Sequence, residues 1–352
     1  MNSYERVKTA VAMKEPDVVP VVPFMGNYGA AVAGVPMDKY CQSGKLMAEA
    51  QMTAMEIFDQ DALVIQSDNY YIAEGLGTQV RHTENSTPTF AVPAIEKLSD
   101  VYKLKVPDPT RDGRMPVFLE AIDRVKGQFK GEKIIRTSGT GSFSLASHLM
   151  GTQEFLLELA TLGADPDPET EKAMRHLMEI ATDSLIAYAK ASIDAGADIV
   201  QNGDSLASPD MISPAMYRDW VHKYETRYCD EVGKHAKEKG AITLLHICGD
   251  TTPILTGMAD TGAMLVEIDS KVSMRRAKEE IGDRVCLIGN LEPSAVLLQG
   301  SVALVEEHSR QVIEDAGQGG GLILGSGCEV APATPQENIK AMIRVARDHH
   351  YN

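Results

Sequence analysis

His246, Cys248 and Cys328 are the residues whose types and spacing suit metal chemistry. Residues 244–248, within LLHICGDTTPIL, read as a buried strand, and side-chain alternation sends His246 and Cys248 to the same side at its carboxyl end. The last apolar run, GLILGSG, leads directly to Cys328. One imidazole and two thiolates suit Zn²⁺ and leave a fourth tetrahedral position for water or substrate. The pattern predicts a catalytic zinc site.

The five cysteines also allow a plainer interpretation of this pattern. Buried cysteines are common in strands, and a histidine at a strand end is often simply hydrogen-bonded there. The cysteines are odd in number and scattered along the chain, so they do not predict a disulfide framework. Reduced thiols are expected, with Cys229 and Cys286 packed in the core and no role assigned to Cys41.

Short apolar runs alternate with long amphipathic stretches that have helical spacing and end near glycine. Eight such runs are found: VVPVVP at Val18, ALVIQ at Ala62, KIIRTSG at Lys133, DIVQNGD at Asp198, TLLHICG at Thr243, MLVEID at Met264, VCLIGN at Val285 and LILGSG at Leu322. Strands that alternate with helices form parallel βαβ units, and eight units indicate a closed barrel. The expected fold is α/β, a single (β/α)8 TIM barrel.

An open, doubly wound sheet is the alternative architecture, and periodicity alone does not exclude it. The chain has no GxGxxG or GxxxxGK[ST] motif that would favour the open, nucleotide-binding form. Residues 1–352 are expected to form one domain, because no linker marks a second. An irregular insertion, of loops or a small hairpin, is expected near residues 70–114.

Polar side chains at predicted strand ends should face the barrel mouth, where TIM-barrel active sites lie. Asp204 and Asn202 are predicted to be catalytic, and Asp204 or Glu267 is a candidate for the fourth zinc position. The predicted substrate-binding residues are Asn69, Tyr70, Tyr71, Glu267 and Asn290. Loop capping is the alternative role for such residues, and aromatic residues near a strand are more often core.

The composition narrows the class of partner. With 352 residues, 43% hydrophobic and 24% charged, the chain is ordinary for a globular protein. A net charge of −16 makes nucleic acids and membrane surfaces poor partners, which leaves small molecules and proteins. The first residues lack a signal-peptide core, and no apolar stretch of about 18 residues occurs, so a cytoplasmic enzyme is expected.

Three segments resemble the uroporphyrinogen decarboxylase superfamily, and more narrowly its zinc methyltransferase branch: LHICGDTTPIL, SGCEVAPATPQENIKAM and GDSLASPDMISPAMY. The resemblance covers essentially the whole chain. True decarboxylases of this superfamily do not use zinc, and they carry an arginine-rich RQAGR-type stretch near the first strand to hold substrate carboxylates. Here that region reads VPFMGNYGAAVAGVPM, without arginine. Porphyrinogen decarboxylation is therefore not expected despite the shared fold.

The resemblance implies transfer of a methyl group between a small substrate and the cobalt of a cobalamin-type corrinoid on a small partner protein. The first interpretation is O-demethylation of a methoxylated aromatic donor, with Tyr70 and Tyr71 as a wall. The alternative is a methylcobalamin:thiol transferase of the coenzyme M type, which the soft, thiolate-rich zinc favours. Two other classes stay open: a zinc hydrolase or lyase with metal-bound water, and a metal-free binding protein.

Overall fold

Seven parallel strands form one curved sheet in the computed structural model, which describes residues 1–351. A separate pair of strands forms an antiparallel hairpin. The sheet order is β1-β4-β5-β6-β7-β8-β9, so each strand pairs with the next one of the sheet along the chain. The strands are β1 (Ala62–Ile65), β2 (Gln79–Thr83), β3 (Ser86–Val92), β4 (Ile134–Thr140), β5 (Ile199–Gly203), β6 (Ile242–His246), β7 (Leu265–Glu267), β8 (Cys286–Leu291) and β9 (Leu322–Ser326).

Helices follow the strands of the sheet and cover its outer face. They are α1 (Ser3–Val11), α2 (Gly26–Val32), α3 (Met37–Tyr40), α4 (Gly44–Phe58), α5 (Tyr71–Gly75), α6 (Met115–Phe129), α7 (Ser142–Met150), α8 (Thr152–Ala164), α9 (Pro168–Ala195), α10 (Pro214–Trp220), α11 (His222–Lys239), α12 (Leu255–Asp260), α13 (Met274–Ile281), α14 (Val302–Ala316) and α15 (Gln336–Asp348). Within residues 1–351, no helix combines the length and the apolar character needed to cross a membrane.

The extended segment at residues 20–22 occupies the eighth position of the barrel. The amide of Val22 donates to the carbonyl of Leu324 in β9 (2.8 Å), and the carbonyl of Val21 accepts from the amide of Asp61, just before β1 (3.0 Å). The segment thus joins both edges of the sheet. It stays short because Pro20 and Pro23 have no N–H to extend a ladder. The predicted (β/α)8 barrel is confirmed, with seven regular strands and one irregular one.

The barrel has two apolar layers. The inner layer comes from alternate strand residues such as Ile134, Ile199 and Ile242, and helix α1 closes its amino-terminal end with Val7 and Ala10. The outer layer fills the space between strands and helices. Because the amino-terminal end is plugged, only the carboxyl ends of the strands open to solvent.

The insertion near residues 70–114 contains α5, the β2–β3 hairpin and a 3₁₀ helix over Leu98–Lys103. Its base is fixed by Arg114, which donates to both carboxylate oxygens of Asp68 (2.8 Å each) and to Glu74 (2.6 Å). These bonds tie the end of the insertion to the residues that follow β1. That the whole chain forms one domain stays a prediction.

Glu225 is a fully buried carboxyl group in the outer layer, on α11. The Tyr217 hydroxyl donates to its Oε2 (2.6 Å), while its Oε1 has no partner among the described residues. Burial, with a smaller effect of the nearby Asp204 carboxylate, raises the pKa of Glu225 to about 8. The folded protein therefore keeps a proton on Glu225 at pH values where the unfolded chain has lost it.

Glu225→Gln is expected to stabilise the protein at pH 8 and to have little effect at pH 5. Between the ordinary glutamate pKa of 4.5 and about 8, only the unfolded state releases the proton, so wild-type stability falls as pH rises. Glutamine keeps the acceptor for Tyr217 without a charge. The expected gain at pH 8 is roughly 2–4 kcal/mol in denaturant unfolding. Exposed Glu132→Gln is the control, and an equal gain at both pH values for Glu225→Gln would contradict this account.

Candidate metal centre

His246, Cys248 and Cys328 come together at the carboxyl end of the barrel. His246 is the last residue of β6, and Cys328 lies two residues beyond β9. His246 Nε2 is 3.1 Å from the Cys248 sulfur, which is 3.8 Å from the Cys328 sulfur. One ligand atom from each residue lies within 4.8 Å of the other two. The structure thus groups the three residues as the sequence predicts.

The spacing of these atoms fits a tetrahedral zinc ion. Zinc–sulfur bonds of 2.3 Å at a tetrahedral angle hold two sulfurs about 3.8 Å apart, which is the Cys248–Cys328 separation. His246 directs its Nε2 toward the sulfurs and its Nδ1 away from them. Both cysteines are partly exposed, so the fourth side of the site is open to a ligand. Zinc binding by these residues stays a proposal.

Glu267 lies behind His246, on the side away from the cysteines. Its Oε2 is 3.4 Å from His246 Nδ1, and its carboxylate accepts two hydrogen bonds from Arg136 (2.8 and 2.7 Å). Both charged side chains are fully buried. Glu267 is outside the group of three close ligand atoms. The carboxylate is engaged by Arg136 and faces the back of the imidazole, and its substrate contact and fourth-ligand role stay predictions.

Sequence reasoning missed Arg136. A usable signal was present, because an arginine in the apolar run KIIRTSG needs a buried carboxylate partner.

A small cavity of about 90 Å³ lies over the three ligands. Its lining is Phe24, Gln66, Asn69, Ser138, Gly139, Gln201, Gly203, Ser205, His246, Cys248, Cys328 and Glu329. Asn69 is the one predicted substrate-binding residue in this lining. The Ser205 hydroxyl is 3.2 Å from the Cys248 sulfur. Gln66, Gln201, Ser205 and Glu329 were missed, although Glu329 directly follows a predicted ligand.

Asp204 and Asn202 are absent from the lining of the cavity, and their catalytic role stays a prediction. The Asp204 carboxylate accepts from the amides of Phe143 (3.0 Å) and Ser144 (2.7 Å) and thus caps α7. Asp204 is also outside the group of three close ligand atoms. Asn202 points to the helix side of β5, because its neighbour Gln201 faces the barrel interior and bonds Arg136 (3.2 Å).

Tyr70, Tyr71 and Asn290 are also absent from the cavity lining. Tyr71 is buried behind the sheet, with its ring stacked on Phe118 at a centroid distance of 3.9 Å. The Tyr70 ring contacts the His148 ring at 4.6 Å. Asn290 donates to two backbone carbonyls of the loop after β7. Ring contacts and loop bonding engage these three side chains, and their substrate contacts stay predictions.

The ionisable groups at the site influence one another strongly. Burial lowers the pKa of His246, but the Glu267 carboxylate and Cys328 together raise it, to about 9. The hydrogen bond with Cys328 lowers the pKa of the Cys248 thiol below its usual value. Burial raises the pKa of Glu329 to about 7. Because zinc takes neutral imidazole and thiolate, metal binding at this site must release protons.

Comparison with known proteins shows the family of this chain. The sequence model of the family described as uroporphyrinogen decarboxylase (URO-D) matches residues 2–349. The chain belongs to the uroporphyrinogen decarboxylase family. Its similarity to the methylcobamide:CoM methyltransferase MtaA of Methanosarcina barkeri is 29% identity over 356 residues, covering 98% of this chain and 97% of that protein.

Two further similar proteins extend the comparison. The methylcobamide:CoM methyltransferase MtbA of Methanosarcina acetivorans is 31% identical over 264 residues, which cover 75% of this chain and 72% of that protein. A solved methyltransferase structure from Methanosarcina mazei superposes with a TM-score of 0.87, at 28% identity and 99% coverage of both chains. The resemblance to the methyltransferase branch, recognised from the sequence, is confirmed.

Cys328→Ser is expected to reduce the zinc content from about one ion per chain to a small fraction. Removal of one of three protein ligands should weaken zinc binding at least about tenfold, while folding is retained because Cys328 lies at the rim. Elemental analysis after dialysis measures the loss. Cys229→Ala, which removes a buried thiol distant from the site, is the matched control. Equal zinc in both variants would remove Cys328 from the ligand set.

Asp204→Ala is expected to destabilise the protein by about 1–2 kcal/mol without loss of zinc. The change removes the cap of α7, whose first amides then lose their acceptor. Denaturant unfolding and elemental analysis of the same preparation separate the two effects. Loss of zinc at unchanged stability would contradict the capping role and support a role for Asp204 at the metal.

Proposed function

We propose that this chain transfers a methyl group from a corrinoid cofactor to a small thiol, at a zinc ion bound by His246, Cys248 and Cys328. The observation that carries this proposal is the convergence of one imidazole and two sulfurs under a small cavity. Relatives with nearly full-length similarity are named methylcobamide:CoM methyltransferases, which supports the class of reaction. One described as a methylated-thiol–coenzyme M methyltransferase is 28% identical over 319 residues and supports sulfur chemistry.

A thiol acceptor is preferred here to a methoxylated aromatic donor. The aromatic interpretation depended on Tyr70 and Tyr71 as a wall, but neither residue lines the cavity, and Phe24 is its one aromatic residue. The cavity volume of about 90 Å³ is well below the roughly 300 Å³ at which pockets for drug-sized ligands begin. Size, softness of the ligand set and the named relatives all support the thiol alternative.

Different residues of the chain have different roles in the proposed reaction. When bound, zinc would act as a Lewis acid that lowers the pKa of a substrate thiol. His246 is kept in one orientation by Glu267, and Glu267 by Arg136. The cavity walls align the sulfur with the incoming methyl group, and such alignment supplies most of the barrier reduction in a displacement reaction. The sulfur–carbon bond forms as the cobalt–carbon bond breaks, and the electron pair stays on cobalt.

The open side of the cavity is where a corrinoid must approach. Asn69 is exposed, and Cys248 and Cys328 are partly exposed, so the site opens outward at the strand ends. The amino-terminal end of the barrel is closed by α1. A small corrinoid protein that docks on this mouth would bring cobalt to the thiol along one path. This partner is part of the proposal.

Zinc-loaded enzyme is expected to accelerate demethylation of methylcobalamin by a small thiol at least about a hundredfold over the same mixture without enzyme. Absorbance follows cobalamin, and mass spectrometry identifies the methyl thioether. The rate should fall with zinc content in Cys328→Ser and persist in Cys229→Ala. A parallel reaction offers cob(I)alamin and a methoxybenzoate. Methylation of cob(I)alamin by the ether, without thiol turnover, would reverse the preference, and turnover of an ester without cobalamin would indicate a zinc hydrolase.

A further inference from the structure

The cavity over the metal ligands contains no positive side chain. No lysine or arginine belongs to its described lining, and Glu329 is its one carboxyl group. Amide and hydroxyl groups supply the other polar atoms, chiefly from Gln66, Asn69, Gln201 and Ser205. A zinc dication and two thiolates sum to zero charge, so the Glu329 carboxyl group is the one further acidic side chain in the described lining. The chain as a whole carries −16, which also disfavours anions.

The nearest guanidinium group is already fully engaged. Arg136 gives both terminal nitrogens to Glu267 and its Nε to Gln201, and its side chain has no exposed surface. An anionic substrate would have to break this buried ion pair to gain a partner. Separation of such a pair leaves an uncompensated buried charge, which costs far more than a surface contact gains. Arg136 therefore does not serve as an anion receptor.

Two acceptor oxygens at one end of the cavity lack a donor. Glu329 Oε1 accepts from the amide of Asn27 (2.8 Å), the one hydrogen bond to this carboxyl group from the described residues, and Oε2 receives none. Gln66 is 95% buried, and its Oε1 is without a partner within residues 1–351. A Cβ built on Gly26 would lie 2.3 Å from Gln66 Oε1 and 3.1 Å from Glu329 Oε1. The absence of a side chain at Gly26 thus allows the Gln66 and Glu329 oxygens to lie close to its backbone.

We infer that the substrate thiol carries an ammonium group, which Glu329 receives, and that thiols with a sulfonate or carboxylate in its place are poor substrates. This inference rests on the proposed function and names its substrate class. An ammonium group supplies a donor to the open oxygen of Glu329, and its charge-assisted hydrogen bonds to a carboxylate are stronger than neutral ones. A sulfonate at the same position would meet this carboxyl group without a lysine or arginine in the described lining.

The inference separates this chain from the CoM-linked activity in the names of its relatives. CoM is a two-carbon thiol that ends in a sulfonate, whereas the described lining of the cavity here contains one carboxyl group and no lysine or arginine. Cys328 and Glu329 both line the same cavity of about 90 Å³, so a substrate that reaches from the metal ligands to Glu329 within it must be small.

Three two-carbon thiols that differ only in their terminal group test this inference: cysteamine, 2-mercaptoethanol and 2-mercaptoethanesulfonate. Each is offered with methylcobalamin to zinc-loaded wild type and to Glu329→Gln. For each enzyme, kcat/KM with cysteamine is divided by kcat/KM with mercaptoethanesulfonate. This ratio is expected to be at least about tenfold lower in Glu329→Gln than in the wild type. Because both enzymes receive the same thiols, the change in this ratio does not depend on the different acidities of the thiols. Glu132→Gln, an exposed carboxyl before β4 at the closed end of the barrel, removes the same charge and should leave the ratio unchanged.

Calorimetric titration of the same thiols into the zinc-loaded proteins measures their binding affinity independently of turnover. Tightest binding of cysteamine, lost in Glu329→Gln, supports the inference even if methylcobalamin is not demethylated, in which case the proposed methyl transfer alone fails. Turnover with a preference for the sulfonate, or a ratio unaffected by Glu329→Gln, overturns the inference and leaves the proposed function intact. Absence of both binding and turnover for all three thiols overturns both.

Discussion

The buried ion pair between Arg136 and Glu267 is the interaction on which the rest of the site depends. Two charges without exposed surface are costly to desolvate, and only the two-bond geometry of a guanidinium with a carboxylate offsets much of that cost. The pair acts in two directions. It supports the imidazole of His246 from behind, and it removes the one nearby cation from the reach of a ligand.

The barrel explains how this pair and the metal ligands meet. Arg136 and Glu267 are 131 residues apart in the chain, but both lie on the inner face of the sheet, where alternate residues of parallel strands point to a common axis. Apolar residues such as Ile199 and Leu244 fill the layer below, together with α1. The layer that contains Arg136 and Glu267 therefore lies above a closed apolar layer. His246, Cys248 and Cys328 lie above it, at or beyond the ends of their strands.

The sequence predicted the barrel and the grouping of His246, Cys248 and Cys328 because both leave a local signal: apolar runs at βαβ spacing, and a histidine and a cysteine two residues apart on a strand. The side of the sheet on which Asn202 lies was not predictable, because IVQNG is buried on both faces and shows no alternation. The contacts of Asp204 were missed for another reason. The helix that it caps begins about 60 residues earlier, and such a non-local partner leaves no pattern in the sequence.

Charge in the cavity, more than the fold, separates the branches of this family. The resemblance associates decarboxylases with arginines near the first strand that hold substrate carboxylates; here the same stretch is VPFMGNYGAAVAGVPM, and Phe24 from it lines the cavity while Asn27 donates to Glu329. This stretch thus contributes the aromatic ring of Phe24 and the backbone amide of Asn27, which orients the Glu329 carboxyl group, and it contributes no cation. A barrel that keeps its strands but has thiols in place of guanidinium groups at the mouth loses the side chains that would recognise anions. Arg136, which has no exposed side-chain surface, is neutralised by Glu267.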